Sequence, residues 1–192
     1  MLRTNLNFLA LITQLYDEQD RKEEITLKTY TKGNLLLKQG MILPRVLFIK
    51  TGIVKCFLSE ENGKDFIVEF LGSGEVAGEL EVIRDIPCLC SVEAVTDVEV
   101  YALRVPYFRS LLDNNTSFSR LLINELAERL VNTSTRSSAQ QLFTIEIGLR
   151  KILGLQSRLG IDLSKDDMAA YLGVTPRSLN RALKNLRKDN GS

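Results

Sequence analysis

Histidine and tryptophan are both absent from this chain of 192 residues. Without imidazole it lacks the commonest general base, most transition-metal ligand sets and every triad in which histidine activates serine or cysteine. The chain is therefore read as a non-enzyme. Cysteine is scarce and odd in number: Cys56, Cys88 and Cys90 have no repeated spacing, which fits a reducing compartment better than a disulfide framework. Long apolar runs are missing too. "FLALI" (Phe8 to Ile12) falls far short of the ~20 residues of a membrane span, and no secretory leader is visible at the N-terminus. The expectation is a soluble, cytoplasmic protein with no membrane partner.

A large net charge is also lacking, at +1. That near-neutrality conceals an asymmetry. Residues 146–192 carry nine Lys and Arg against five Asp and Glu, and residues 1–145 carry 16 against 19. A basic C-terminal end on a near-neutral chain points to a polyanion partner at that end only.

Residues 5–20 place Leu6, Leu9, Ile12, Leu15 and Tyr16 mostly three apart, which predicts a short amphipathic helix. From about Ile25 to Leu103, short β-rich runs recur: "LLLK" (35–38), "VLFIK" (46–50), "IVKCFL" (53–58), "FIVEFL" (66–71), "CSVEAV" (90–95) and "VEVYAL" (98–103). Glycines punctuate them, and Asn62-Gly63 is a strong hairpin signal. This texture predicts an antiparallel jelly roll or sandwich. "GSGEVAG" (72–78) lacks the spacing of a dinucleotide-binding loop and is read as a turn between strands. After Pro106 the period becomes helical. Phe108, Leu111 and Leu112 form a short helix ending near Asn114-Asn115. Phe118, Leu122, Leu126 and Leu130 then recur every four residues, with Leu121, Ile123, Ala127 and Val131 beside them. So broad a stripe suits a helix that packs on its own domain and on a second copy. Residues 132–141 are polar, either the midsection of one long helix or a linker.

The sharpest signal is "LSKDDMAAYLGVTPRSLNRALKNLRK", Leu163 to Lys188. Ser164 with Asp167 starts a helix like a capping box, Gly173 ends it, and Thr175 with Pro176 starts the next. Met168, Leu172, Val174, Leu179 and Ala182 stand where two steeply crossed helices touch, which describes a helix-turn-helix. In the second helix Leu179, Ala182, Leu183 and Leu186 point inward. Arg177, Arg181, Lys184 and Lys188 share an outer face with Arg187 nearby. A solvated basic face is the plain alternative for an isolated helix, but the two-helix pattern favours double-stranded DNA. Arg177 and Arg181 are assigned to base edges, where Arg bonds guanine O6 and N7 together. Thr175 and Ser178 are placed near bases or phosphates, and Lys184, Arg187 and Lys188 at phosphate.

Glycine-rich roll, long helix and helix-turn-helix, in that order, resemble the Crp/Fnr transcription regulators over nearly the whole chain. "KGNLLLKQGMILPRVLFIKTGIVK" resembles the family's roll, "FLGSGEVAGEL" the approach to its nucleotide loop, and "VTPRSLNRALKNL" its recognition helix. The resemblance implies an α+β fold with a cyclic-nucleotide-binding-type β-roll at 1–112. A long dimerisation helix follows at 113–145, then a helix-turn-helix DNA-binding domain of winged type at 146–192. It also implies a homodimer on two-fold symmetric DNA, contact with RNA polymerase and a possible small-molecule effector. Pro176, Arg177 and Arg181 fall on the family's base-contacting positions.

Three departures bear on that resemblance. Gly78, Glu79 and Leu80 match the nucleotide loop, and Glu79 matches the family's ribose-binding Glu. However, Cys88-Leu89 stand where cyclic-AMP binders place Arg-Ser for the phosphate. Thr133-Ser134 fall where the family presents hydroxyls to adenine. The pocket is therefore expected not to take cyclic AMP in the usual way, and the effector is unknown. Second, no N-terminal cysteine cluster or histidine offers iron–sulfur or haem ligation. Cys88 and Cys90, alternating on a strand, are expected to share a buried face rather than to form a redox switch. Third, no wing hairpin follows the recognition helix, so either the chain is a shortened form or it docks without a wing. The weighed alternatives are an effector-independent regulator of the same family, a cyclic-nucleotide-responsive one, a stand-alone nucleotide-sensing module, and a cupin-like enzyme, which would need clustered histidines.

Overall fold

The glycine-punctuated runs fold into two packed sheets, covered on both outer faces by helices. The computed structural model describes residues 2–20, 23–61, 63–142 and 144–189. Strand β1 (Leu2–Arg3) leads into helix α1 (Leu6–Glu18). Then come β2 (Ile25–Tyr30), β3 (Leu35–Leu37), β4 (Arg45–Thr51), β5 (Val54–Ser59), β6 (Asp65–Leu71) and β7 (Val76–Ala77). Helix α2 (Glu79–Arg84) precedes β8 (Ser91–Ala94) and β9 (Val98–Arg104). Helices α3 (Val105–Asn114), α4 (Thr116–Leu142), α5 (Ile145–Leu159), α6 (Lys165–Leu172) and α7 (Pro176–Asp189) complete the described residues.

One sheet runs β1-β6-β5-β8-β3 and the other β2-β9-β4-β7. Their facing sides bury Ile49, Val54, Leu71, Val92, Ala94, Val98 and Val100. The outer face of the four-stranded sheet packs against α1, α3 and α4 through Phe8, Phe48, Phe108 and Phe118. Phe8 stands 4.9 Å from Phe48 and 5.3 Å from Phe118, ring centre to ring centre. The outer face of the five-stranded sheet offers Phe57, Ile67 and Phe70 to Leu149, Ile152, Met168, Ala169 and Leu179 of the three C-terminal helices. Each such aromatic or aliphatic side chain removed from water contributes about 1.5–3 kcal/mol. That shared cluster docks the helix-turn-helix directly on the roll.

Several local expectations are corrected. In α1 the fully buried residues are Phe8 and Ile12, with Leu9, Leu15 and Tyr16 packed partly buried beside them, so the face read from the spacing packs except for Leu6, which is exposed, and Phe8 joins it. Strand β8 begins at Ser91. Cys88 and Cys90 therefore precede the strand, and strand alternation does not place them. Cys88 is buried where its backbone pairs with Gly40 and Met41, and Cys90 is half-buried. The reading of residues 132–141 as the polar midsection of one long helix stands, because α4 is continuous to Leu142. Gly63 closes the β5–β6 hairpin with φ near +75°. Asn62 lies outside the described residues.

Gly74 locks the N-terminal strand in place. Its φ is +83°, and a Cβ there would stand 1.8 Å from the Asn5 carbonyl oxygen. Only glycine allows so close an approach.

Candidate nucleic-acid interface and ligand cassette

Helix α6 starts at Ser164, whose Oγ accepts the Asp167 N–H and donates to the Asp167 carboxylate. Gly173, at φ +67°, ends it in the left-handed conformation that favours glycine. Thr175 caps α7 by accepting the Ser178 N–H at 3.2 Å, and Pro176 is its first helical residue. These caps fix the crossing of the two helices. Leu179, Ala182 and Leu186 are thereby turned into the core with Met168 and Ala169. Leu172, Val174 and Leu183 pack partly buried against them.

The opposite face of α7 is left to solvent. Thr175, Pro176, Arg177, Arg181 and Lys184 are exposed and Ser178 is half-buried. The side chains of Arg187 and Lys188 lie outside the described residues. One exposed polar residue was missed by reading cations alone. Asn180 stands one turn from Arg177 and from Lys184 and next to Arg181. An Asn amide at such a position can pair with adenine N6 and N7. The neighbouring carboxyl of Glu146 is held below the usual carboxylate range, first by its own backbone N–H and the Thr144 hydroxyl, with smaller help from Asn185 and Arg181.

The residues matched to the nucleotide loop, from Gly78 to Leu89 (the cassette), occupy a different part of the molecule. Gly78 is the left-handed cap of α2, and Glu79 is buried. Arg129 of α4 pairs with the Glu79 carboxylate and donates to the Val76 carbonyl. Burial pushes the Glu79 pKa up against the pull of Arg129. Leu80 and Leu89 are exposed. The backbone N–H of Leu89 donates to Glu81 Oε1 at 2.9 Å. That amide belongs to the residue which the resemblance puts in the place of the phosphate-binding serine of cyclic-AMP binders. Burial pushes the pKa of Cys88, put in the place of their arginine, upward. Thr133 and Ser134 are exposed on α4, and the Ser134 hydroxyl donates to the Leu130 carbonyl one turn back.

Two contacts absent from the sequence reading join these regions. Arg136 of α4 donates to the Ile67 and Val68 carbonyls of β6 and to the Tyr171 carbonyl of α6. It also stacks 4.1 Å from the Tyr171 ring centre. Lys55 of β5 pairs with Asp167 of α6 at 2.6 Å and with Glu93 of β8 at 3.0 Å. No residue-type pattern in the sequence signals such pairs, because their partners lie 35 to 112 positions away.

A family model described as cyclic nucleotide-binding domain matches residues 27–115, and one described as Crp-like helix-turn-helix domain matches residues 125–190. Among curated proteins, the CRP-like cAMP-activated global transcriptional regulator of Mycobacterium tuberculosis is 24% identical over 166 residues, covering 80% of this chain and 74% of that one. The cAMP-activated global transcriptional regulator CRP of Salmonella typhimurium is 23% identical over 172 residues, covering 84% and 82%. Among solved structures, the c-di-GMP responsive global regulator CLP of Xanthomonas campestris superposes with a TM-score of 0.76 at 16% identity, covering 97% of this chain and 93% of that one. FixK2 of Bradyrhizobium japonicum superposes at 0.71 with 22% identity and 86% coverage of each. None of the helices among the described residues is long and apolar enough to cross a membrane.

Proposed function

The chain belongs to the Crp/Fnr family of DNA-binding transcription regulators, and from that premise we propose that it works as a cytoplasmic homodimer on two-fold symmetric sites in double-stranded DNA. The observation that carries this reading is the division of α7. Leu179, Ala182 and Leu186 are buried, while Arg177, Asn180, Arg181 and Lys184 stand exposed together. The base-reading roles fall to Arg177, Asn180 and Arg181, the first turns of a recognition helix. Helix α4 supplies the surface for the second copy. Ile123, Leu130 and Val131 are each more than 60% exposed on it, while Phe118 and Leu122 are buried in the protomer's own core. RNA polymerase is the further partner of this reading.

The roll does not take cyclic AMP in the family's usual way. A cyclic phosphate brought to the cassette would meet the Glu81 carboxylate already on the Leu89 amide, and no cation at position 88. A charge-assisted hydrogen bond is worth about 1.5–3 kcal/mol, and here it is replaced by a like charge. Titration calorimetry of nucleotide-free protein with cyclic AMP tests this. The expected result is no heat up to millimolar ligand, and micromolar binding would sink the reading. A second reading, a regulator that needs no effector, is favoured by the Glu79–Arg129 pair, which joins cassette to α4 by a direct contact between protein side chains.

A further inference from the structure

Between the N-terminal strand, the cassette and the long helix lies a cluster of charge that neither DNA nor nucleotide recognition accounts for. Arg3 comes from β1, Glu69 from β6, Glu75 from the turn before β7, Glu79 from α2, and Glu125 and Arg129 from α4. Glu75, Glu79 and Glu125 are each 1% exposed and Arg3 is 7% exposed. Four carboxylates thus face two guanidiniums. Buried charge without a counterion costs far more than taking up a proton, so a cluster with two surplus carboxylates is built to hold one.

The contacts single out which carboxylate holds it. Arg3 is closest to Glu125, and Arg129 is closest to Glu79. Glu125 also accepts the Asn5 amide at 2.8 Å. Glu69 keeps 22% of its side chain in solvent. Glu75 has neither advantage. Its Oε2 is 3.4 Å from Arg3 and 3.7 Å from Arg129, and it is hydrogen-bonded to neither.

We propose that Glu75 is a proton-binding site of this regulator, whose protonated form holds the N-terminal strand and α4 together on the roll and whose ionised form loosens them. Burial pushes its carboxyl up to about 7, against the opposing pull of Arg3 and Arg129, with Glu69 and Glu128 adding to the rise. The remaining facing groups do not cancel this. Glu79 is matched by Arg129, and Cys56 of β5 is held neutral, chiefly by burial. The folded pKa lies above the unfolded one, so the stabilisation is complete below the ordinary carboxylate range. It is lost as pH rises through about 7 and changes no further above that. The chain contains no histidine, so no imidazole titrates between pH 5.5 and 7.5 beside it.

The coupling to DNA rests on the reading that α4 pairs two copies, but the proton site itself does not. The test is a carbon-13 titration of the glutamate carboxyls in the full chain, beside thermal melts and DNA affinities at pH 6 and pH 8. The expected result is one carboxyl with its midpoint near 7, missing in Glu75→Gln. The native melting temperature should fall from pH 6 to pH 8, and this fall should vanish in the variant. All carboxyls titrating below pH 5.5, or a variant that keeps the native fall, overturns the site. Should Glu75→Gln fail to fold, the native titration decides alone. DNA affinity should weaken at least about five-fold from pH 6 to pH 8. An unchanged affinity beside a titrating carboxyl overturns the coupling, and no DNA binding at either pH counts against the DNA reading instead.

Discussion

Arg136 on the long helix and Tyr171 on the first helix of the helix-turn-helix link the roll to the DNA-binding unit. The guanidinium stands 4.1 Å from the ring centre and donates to the Tyr171 carbonyl, while its other N–H groups reach Ile67 and Val68 of β6. Burial lowers its pKa, although guanidinium remains charged at any physiological pH. Arg136 thus ties the first helix of the helix-turn-helix to β6 and α4, beside the apolar cluster and Lys55.

Removing that side chain has a size set by its contacts. Arg136→Ala loses stacking and charge-assisted bonds together and should cost about 2–4 kcal/mol by urea denaturation. Arg136→Lys keeps the charge but not the planar fork, and should recover less than half of the loss. A change below about 0.5 kcal/mol, the usual size at an unremarkable surface site, would contradict the link.

Lys55 makes the second link, with Asp167 and Glu93. Burial opposes its charge, but the two carboxylates outweigh it and the pKa is raised. A raised lysine contributes stability at all pH values below its unfolded pKa and loses it only as pH rises through the folded one. Lys55→Met should therefore cost about 1–2 kcal/mol, discounted for partial exposure and equal at pH 6 and pH 8. Melts at the two pH values check both points, and a loss confined to one of them would refute the assignment.

Much of this was legible in the sequence, and the rest was hidden for physical reasons. The strands from Leu35 to Leu103 announced themselves because β-branched runs alternate between glycine turns. Ser164, Gly173, Thr175 and Pro176 announced the helix-turn-helix because caps act on their own neighbours. What failed needed partners distant in the chain. Phe8 rather than Leu6 is buried in α1 because Phe48 and Phe118 wait for it. Glu79 could be matched to a nucleotide loop, but Arg129, the partner 50 residues on that pairs with it, carried no signal. Arg3 and Glu75 carried no motif at all, and became notable only when folding brought four carboxylates around two guanidiniums.

The cassette can be tested by rebuilding it. Replacing Glu81 by Gln, Cys88 by Arg and Leu89 by Ser removes the resident carboxylate and supplies the missing cation and hydroxyl. Cyclic AMP affinity should rise at least about ten-fold over the native chain, the equivalent of one charge-assisted bond. Calorimetry on the two proteins decides it, and equal affinities would show that these positions do not face the phosphate.

The thiols should be poor nucleophiles. Burial pushes Cys90 up to about 12 and Cys56 well above its ordinary value, with Glu81 and Glu69 respectively adding to the rise. At pH 8 the folded protein should react with a disulfide reagent at least about a hundred-fold more slowly than free cysteine. All three thiols should react promptly in denaturant. Rapid labelling of the folded chain would reopen a redox role for Cys88 and Cys90.

The central claim is that α7 reads DNA through Arg177, Asn180 and Arg181. Selection from a random duplex pool, with no nucleotide added, tests it most directly. An inverted repeat should emerge, with half-sites about one helical turn apart. Enrichment should disappear with Arg177→Ala plus Arg181→Ala, and Asn180→Ala should relax one base pair of each half-site. No enriched motif, or a motif that survives the double substitution in a protein that still folds, would contradict the claim.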